Sequence, residues 1–224
     1  MTMRVLVLCD DLWHPAEVVV QGVRALPAQH IQFDFVMDAK DILTEKRLQL
    51  YDVIMNCKCN QITAANTAPW FHEGVTEVGP QQLQEYVRRG GGFLSVHSGN
   101  AFYEKDDCEE YIRFVGNYFV QHPPRCEVQV VPQGKHPITE GIEPFSIRDE
   151  HYEIRTVCDD LTPILYTNSQ QGGCQLGGYT RQIGKGRLCV LTPGHILDVW
   201  QTPQYQKLLL QALRWCANLK EGEG

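Results

Sequence analysis

The sequence predicts an α/β fold with a mainly parallel central sheet. Its first quarter alternates short apolar segments with segments of helical spacing, in the order β-α-β-α-β. The apolar segments are continuous and rich in Val, Ile and Leu, which is typical of parallel strands that are covered on both faces. Right-handed crossovers between such strands place helices on both sides of one sheet.

The amino-terminal half contains the β-α-β-α-β segment and a glycine-led strand. Residues 4–9 form the first predicted strand, and apolar residues at helical spacing predict a helix over 16–26. The other elements of this half are strands over 31–36, 51–56 and 93–96, a helix over 41–50 with Asp41 as its N-cap, and a helix over 79–89 with Pro80 in its first turn. Residues 57–78 are polar and irregular, and a loop of that length in a compact domain is usually functional.

The carboxy-terminal half has fewer helices. A short helix over 108–115 precedes residues 125–131, whose alternation of polar and apolar residues predicts an edge or antiparallel strand. Further strands are predicted over 162–167 and 187–192, and a closing helix over 203–219. The glycine-rich segment 172–178 has neither Walker A spacing nor a G-x-G-x-x-G between strand and helix, so no nucleotide cofactor is expected.

The composition excludes several classes of protein. The 224 residues are 43% hydrophobic and 21% charged, which suits one domain over 1–224. A net charge of -7 without a run of Lys or Arg argues against nucleic acid as a partner. No segment approaches the ~20 apolar residues of a membrane helix, so no membrane association is expected. The nine scattered cysteines predict free thiols and a cytoplasmic location.

Two predicted strands end close to a histidine. His97 directly follows the strand over 93–96, and His195 follows the strand over 187–192 after a Pro-Gly pair. Because the carboxyl ends of parallel strands meet at one sheet edge, we expect both side chains to face the same crevice. The segment 10–14 (DDLWH), with His14, is a third candidate at that edge, and the segment 149–151 (DEH), with Glu150, is a fourth whose position depends on tertiary folding. Histidines with a carboxylate are the ligands of catalytic zinc sites, and they also serve in metal-free acid–base catalysis.

Each of these residues also has a structural interpretation. A histidine at a strand end is more often a hydrogen-bonding residue of the turn, and Glu150 can be a solvated charge. His122 precedes two prolines and is interpreted as shaping a turn, while Arg181 lies in a segment that can be an exposed hairpin. Ser98 is disfavoured as a nucleophile because its turn lacks the G-x-S-x-G pattern, and no cysteine lies at that turn for Cys-His acyl transfer.

Five segments together carry a resemblance to a known family. They are 91–99 (GGFLSVHSG), 136–141 (HPITEG), 149–153 (DEHYE), 180–187 (TRQIGKGR) and 192–195 (TPGH). In this order and spacing the sequence resembles the ThuA-like, or trehalose-utilisation, family over nearly the whole chain. The resemblance implies a flavodoxin-like, class I glutamine amidotransferase-like fold, which is a three-layer sandwich with a mainly parallel central sheet.

The resemblance also implies roles for the candidate residues. His97 lies at the elbow that carries the catalytic cysteine in the amidotransferases, and His195 resembles their histidine in position, so the missing cysteine argues against glutamine hydrolysis. The family implies a role in bacterial sugar catabolism, near oxidoreductases that make 3-keto sugars. We therefore expect His97, Glu150 and His195 to be catalytic, and His14 to join them in holding a divalent metal, preferably zinc.

Four further residues are assigned to a substrate that is a sugar or keto-sugar. Tyr152 and Arg181 are expected to contact hydroxyls or a developing oxyanion, Trp13 to form a stacking wall, and Asn100 to contribute from the His97 turn. The expected reaction is isomerisation, epimerisation or hydrolysis.

Two alternatives to this enzyme stay open. One is a non-catalytic sugar-binding or regulatory module on an amidotransferase scaffold. The other is an amidotransferase or peptidase with a displaced nucleophile, for which Cys57, Cys59 and Ser98 are the candidates. In every case the fold analogy implies a homo-oligomer.

Overall fold

A computed structural model describes residues 2–39, 42–72, 75–105 and 108–219 of the chain. Its strands are β1 (Met3–Leu8), β2 (Ile31–Val36), β3 (Val53–Asn56), β4 (Gly92–Val96), β5 (Asn117–Gln121), β6 (Cys126–Pro132), β7 (Phe145–Asp149), β8 (Glu153–Thr156), β9 (Leu161–Ser169), β10 (Gly173–Ile183) and β11 (Gly186–Leu191). Its helices are α1 (Ala16–Arg24), α2 (Glu45–Leu48), α3 (Pro80–Arg88), α4 (Glu109–Val115), α5 (Leu197–Gln201) and α6 (Pro203–Cys216).

Nine strands form one mixed sheet in the order β2-β1-β3-β4-β11-β10-β9-β6-β7, and β5 pairs with β8 separately. The strands from β2 to β11 are mutually parallel, as predicted, and those from β10 to β7 pair antiparallel with their neighbours. The predicted α/β sandwich is therefore confirmed, but only about half of its sheet is parallel. Short turns after Ser169 and Ile183 join β9 to β10 and β10 to β11, and connections this short produce antiparallel neighbours.

Alternate residues of the parallel strands supply two separate cores. Val5 and Val7 of β1 lie in the core that includes buried residues of α1, α5 and α6. Leu6 and Leu8 of the same strand lie in the core on the other side, with buried residues of α2, α3 and α4. Because successive strand residues point to opposite faces, a continuous apolar run is what two helical layers require.

Several predicted elements differ from the structure in extent. The helix predicted over 41–50 is reduced to α2, because Thr44 caps it by accepting a hydrogen bond from the N–H of Arg47. Asp41, the predicted N-cap, lies outside the described residues. The sequence did not predict β5, β7, β8 or β10. The first three are short, whereas β10 has 11 residues and begins in the glycine-rich segment 172–178. In the described segments no helix combines the length and apolarity that crossing a bilayer requires.

Candidate metal and active site

His97 lies in a short 3-10 turn, His97–Asn100, directly after β4. Its backbone has a φ of 45°, in the left-handed region that residues with a side chain rarely adopt. Its side chain is 3% exposed. Backbone strain of this kind costs about 1–3 kcal/mol and is concentrated at functional sites. The turn therefore holds the imidazole in a fixed place at the carboxyl end of a central strand.

The turn is held by hydrogen bonds from its own polar residues. Ser95 Oγ donates to Asn100 Oδ1 at 2.7 Å, and Asn100 Nδ2 donates to the carbonyl oxygen of Leu191 at 3.2 Å. Asn100 is buried, and both ends of its amide bind protein groups. These contacts give Asn100 a structural role in the turn, and its contact with substrate stays a prediction. Gly99 fits here because a Cβ at that position would lie 2.3 Å from the carbonyl oxygen of Asn56.

His195 follows β11 in a turn that a second strand supports. The carboxylate of Asp149, at the end of β7, accepts hydrogen bonds from the N–H groups of Gly194 at 2.7 Å and His195 at 3.0 Å. Tyr205 Oη donates to the carbonyl oxygen of Pro193 at 2.6 Å, and Trp200 Nε1 donates to that of Gly194 at 2.8 Å. The parallel and antiparallel halves of the sheet thus position this histidine together.

Glu150 directly follows Asp149 and brings a carboxylate to both histidines. Its Oε2 lies 3.4 Å from Nε2 of His97 and 3.2 Å from Nδ1 of His195. The two imidazole nitrogens are 3.3 Å apart. The structure therefore brings together three residues that the sequence nominated from distant parts of the chain.

His14 completes the cluster from the loop after β1. Its ring centroid lies 4.9 Å from that of His97 and 5.0 Å from that of His195. Its Nδ1 donates to the carboxylate of Asp11 at 2.7 Å, while its Nε2 is buried and has no hydrogen-bond partner among the described residues. A buried ring nitrogen without a partner is costly, and a carboxylate on the other nitrogen is the usual support of a metal-binding histidine.

The donor set fits a divalent metal. One potential ligand atom each from His14, His97, Glu150 and His195 lies within 4.8 Å of the others. Nδ1 of His97 donates to the carbonyl oxygen of Thr192 at 2.8 Å, which leaves its Nε2 lone pair facing the cluster. In a tetrahedral zinc site with bonds of about 2.0–2.1 Å, neighbouring ligand atoms are about 3.3–3.4 Å apart. The His97, His195 and Glu150 atoms, separated by 3.2–3.4 Å, match this spacing.

Charge states in the cluster also suit metal binding. Burial lowers the pKa of His97 to about 4, so its imidazole is neutral at neutral pH. Burial alone would raise the pKa of Glu150, but the imidazoles of His195 and His97 beside its carboxylate outweigh this effect and hold that pKa below its usual range. The same balance, with hydrogen bonds from His14, lowers the pKa of Asp11. Neutral imidazoles and ionised carboxylates are the forms that bind metals.

The remaining predicted site residues lie in different places. Tyr152 is buried and stacks on His97, with ring centroids 4.2 Å apart, so it forms a wall of the site. Trp13 adjoins His14 in sequence and is 65% exposed.

Arg181 does not lie in this cluster. Arg181 pairs with Leu188 in the sheet, and Leu188 pairs with Phe93, four residues before His97. That distance is about 13 Å along the strands. Its guanidinium binds Asp160 and the carbonyl oxygens of Arg113 and Phe114. The expected substrate contact of Arg181 at this site is therefore wrong, because the residue lies towards the opposite end of the sheet.

Sequence reasoning gave two functional neighbours no role of their own. Asp11 lies in the candidate segment 10–14, three residues before His14, but its support of that histidine was not predicted. His122 lies with Nε2 3.5 Å from Oε2 of Glu150, although its Pro-Pro context indicated only a turn. The contact depends on the pairing of β5 with β8, neither of which was predicted.

Comparison with known proteins agrees with this fold. The sequence profile of the ThuA family, described as trehalose utilisation, matches residues 4–216. No protein with a curated description matches the chain.

Two solved ThuA-like proteins share the fold. The one from Bacteroides uniformis has a TM-score of 0.73 and 17% identity, over 96% of this chain and 91% of that one. The one from Parabacteroides merdae has a TM-score of 0.74 and 16% identity, over 100% and 93%.

A β-galactosidase from Rahnella sp. R3 also contains this fold within a longer chain. It has a TM-score of 0.68 and 16% identity, and the match covers 98% of this chain but 32% of that one. At such identities these likenesses concern the fold, whereas the family profile matches almost the entire sequence. The chain therefore belongs to the ThuA, or trehalose-utilisation, family.

Proposed function

We propose that the protein is a cytoplasmic metal-dependent enzyme that acts on a sugar or keto-sugar. One observation carries the proposal: buried Nε2 of His14, which has no partner in the described part of the chain, belongs to a cluster with nitrogens of His97 and His195 and the carboxylate of Glu150. Imidazole nitrogens with a carboxylate suit zinc among the common divalent metals.

The three histidines are proposed to hold the metal. Three protein ligands leave a position for substrate, whereas a fourth would close a tetrahedral site. A divalent metal in this position supplies Lewis-acid polarisation of a substrate carbonyl oxygen. Glu150, which the sequence suggested as both a ligand and a catalytic group, is then proposed to act as the base beside the metal.

The protein's own residues would carry the proton transfers. A C–H bond next to a sugar carbonyl is acidic enough for an ionised carboxylate to remove its proton, and Glu150 is ionised. Its oxygen lies among the imidazoles, with 13% of the side chain exposed, so a substrate can reach it from solvent. Protonation of the opposite face of the same carbon would give epimerisation. Protonation of the neighbouring carbon, with transfer of the hydroxyl proton to the former carbonyl oxygen, would give isomerisation; activation of water by the same groups would give hydrolysis.

Other features support the proposed substrate class and compartment. The family description, trehalose utilisation, supports a carbohydrate substrate. No disulfide joins the nine cysteines, all of which lie in the described residues, and this is typical of a reducing compartment. We further propose a homo-oligomer, to be tested by light scattering coupled to size-exclusion chromatography.

Metal analysis and solvent exchange test the proposal. The purified protein should contain about one equivalent of zinc, and His97→Ala and His195→Ala should lose most of it. His72→Ala, which removes an exposed histidine of the 57–78 segment, is the matched control and should retain the parental content. Unchanged metal content in both site variants would refute the metal-dependent version.

The catalytic part is tested with 3-keto-glucose in deuterated water. NMR should show deuterium appearing on a carbon next to the carbonyl, at a rate that depends on Glu150. A non-catalytic sugar-binding module is the second candidate, and it is favoured by His97 standing at the elbow where the amidotransferases carry a nucleophile. Sugar binding without exchange or product would favour that module.

A further inference from the structure

A further histidine borders the site outside the donor set. His122 follows β5, and its Nε2 lies 3.5 Å from Oε2 of Glu150. Its ring is nearly parallel to that of Tyr152, with centroids 5.7 Å apart and an interplanar angle of 21°. Tyr152 stacks in turn on His97. The three rings form a continuous stack that runs from the buried turn of His97 to the surface.

The exposures of His97, Glu150 and His122 show on which side the site opens. The side chain of His97 is 3% exposed, that of Glu150 is 13% exposed and that of His122 is 33% exposed. The deepest residues belong to the donor set, and accessibility rises towards His122. A ligand that reaches Glu150 from this side passes the His122 ring.

The hydrogen bonding of His122 fixes what it offers to such a ligand. Nδ1 lies 2.8 Å from the carbonyl oxygen of Pro123. Because a carbonyl oxygen only accepts, Nδ1 carries the hydrogen, and the neutral tautomer that this contact selects has its lone pair on Nε2. Oε2 of ionised Glu150, 3.5 Å away, is also an acceptor. Two acceptors side by side at an opening are complementary to a hydroxyl group, which brings a donor.

We propose that His122 is a substrate-contacting residue whose Nε2 accepts a hydrogen bond from a sugar hydroxyl at the mouth of the site. This inference rests on the proposed function, because it takes the ligand to be a sugar. It assigns to His122 a part in specificity: a sugar that carries a hydroxyl beside the reacting carbon is preferred over one that lacks it. Tyr152 keeps the ring in place by stacking beneath it.

Binding of a sugar that cannot react tests the inference separately from catalysis. Methyl glucoside has a closed ring and no carbonyl, and its affinity for the zinc-loaded protein can be measured by calorimetry. His122→Phe keeps the ring stack but removes the acceptor, so we expect affinity to fall about three- to tenfold with zinc content unchanged. His122→Gln, which restores an acceptor oxygen, should recover part of the loss. His72→Phe, at an exposed histidine of the 57–78 segment, should bind like the parent.

Monodeoxy methyl glucosides identify the hydroxyl involved. One of them should bind the parent as weakly as the full glucoside binds His122→Phe, and the two losses should not add when they are combined. Parental affinity in His122→Phe, or fully additive losses for every deoxy sugar, would overturn the inference. Deuterium exchange on 3-keto-glucose by the parent would still support the proposed function in that case. A parent that neither binds the glucosides nor exchanges deuterium would overturn both.

Discussion

Asp11 holds His14 through a 2.7 Å hydrogen bond from the imidazole Nδ1 to its carboxylate. The same carboxylate accepts the N–H groups of Trp13, His14 and Cys59, which fixes its own position. Nε2 of His14 is thereby directed towards the other donors with its lone pair free. The pair lies on one short loop after β1, so the hydrogen bond between them is local in sequence.

Asp11→Asn should lower zinc affinity by about 10- to 100-fold, as loss of a supporting carboxylate does in other metal sites. An amide supports the imidazole less strongly, because it carries no charge. Competition with a chromogenic zinc chelator measures the effect. Asp34→Asn is the matched control, because Asp34 lies on the edge strand β2, where it binds Arg4 and Tyr51. Equal affinity in Asp11→Asn and the parent would show that this hydrogen bond does not support a metal ligand.

Glu150→Gln separates the two roles that the carboxylate can have. If it acts as the base, the variant keeps its zinc and loses about 100- to 10,000-fold in the rate of deuterium exchange. Zinc content by atomic emission and exchange by NMR are measured on the same preparation. Glu143→Gln, at an exposed position beyond the site, should match the parent in both. Loss of zinc from Glu150→Gln would instead make the residue a ligand.

The sequence predicted the parts of the site that strand ends supply. His97 and His195 follow two predicted strands, and β4 pairs directly with β11, so the general rule about strand ends was sufficient. The sequence suggested Glu150 from its motif. Its position beside His97 and His195 follows only from the pairing of β6 with β7.

Arg181 shows where sequence reasoning failed. It belongs to the same recognised motifs as the site residues, yet a residue's level along a strand depends on register, which a motif does not contain. Its place was decided by the antiparallel hairpin of β10 and β11. His122 was missed for a related reason, because its contact to Glu150 is made across the small β5–β8 sheet.

In the metal-free protein, titration of His97 should lower stability as the pH falls from about 7 to about 5, while Asp149, whose pKa burial raises to about 7, should contribute in the opposite direction. Burial lowers the pKa of His97 to about 4 in the folded protein, whereas the same side chain has its ordinary pKa of 6.5 in the unfolded chain. Between these values the unfolded chain binds a proton that the folded protein does not, so the free energy of unfolding decreases as pH falls. The contribution of His97 to the free energy of unfolding is on the order of 1–3 kcal/mol. Urea unfolding at several pH values after removal of metal measures the net pH dependence of that free energy.

A variant assigns this pH dependence to His97. His97→Asn removes the titrating group, and Asn tolerates the left-handed backbone of that position. The slope of stability against pH should therefore become less positive, and the slope that remains belongs to other groups, because burial also lowers the pKa of His151 and raises that of Asp149 to about 7. His72→Asn should keep the parental slope. An unchanged slope in His97→Asn would mean that the ring does not resist protonation in the folded protein.

Tyr205→Phe should destabilise the metal-free protein by about 1–3 kcal/mol, the cost of leaving a buried polar group without its donor. Tyr205 is completely buried, and its hydroxyl donates at 2.6 Å to the carbonyl oxygen of Pro193, in the turn that carries His195. Urea unfolding measures the loss, and Tyr118→Phe on β5, at a half-buried ring, should change stability by less than about 0.5 kcal/mol. Zinc affinity should fall as well, because the turn that positions His195 is less firmly held. Loss of stability with parental zinc affinity would show that the turn keeps its geometry through Asp149 and Trp200 alone.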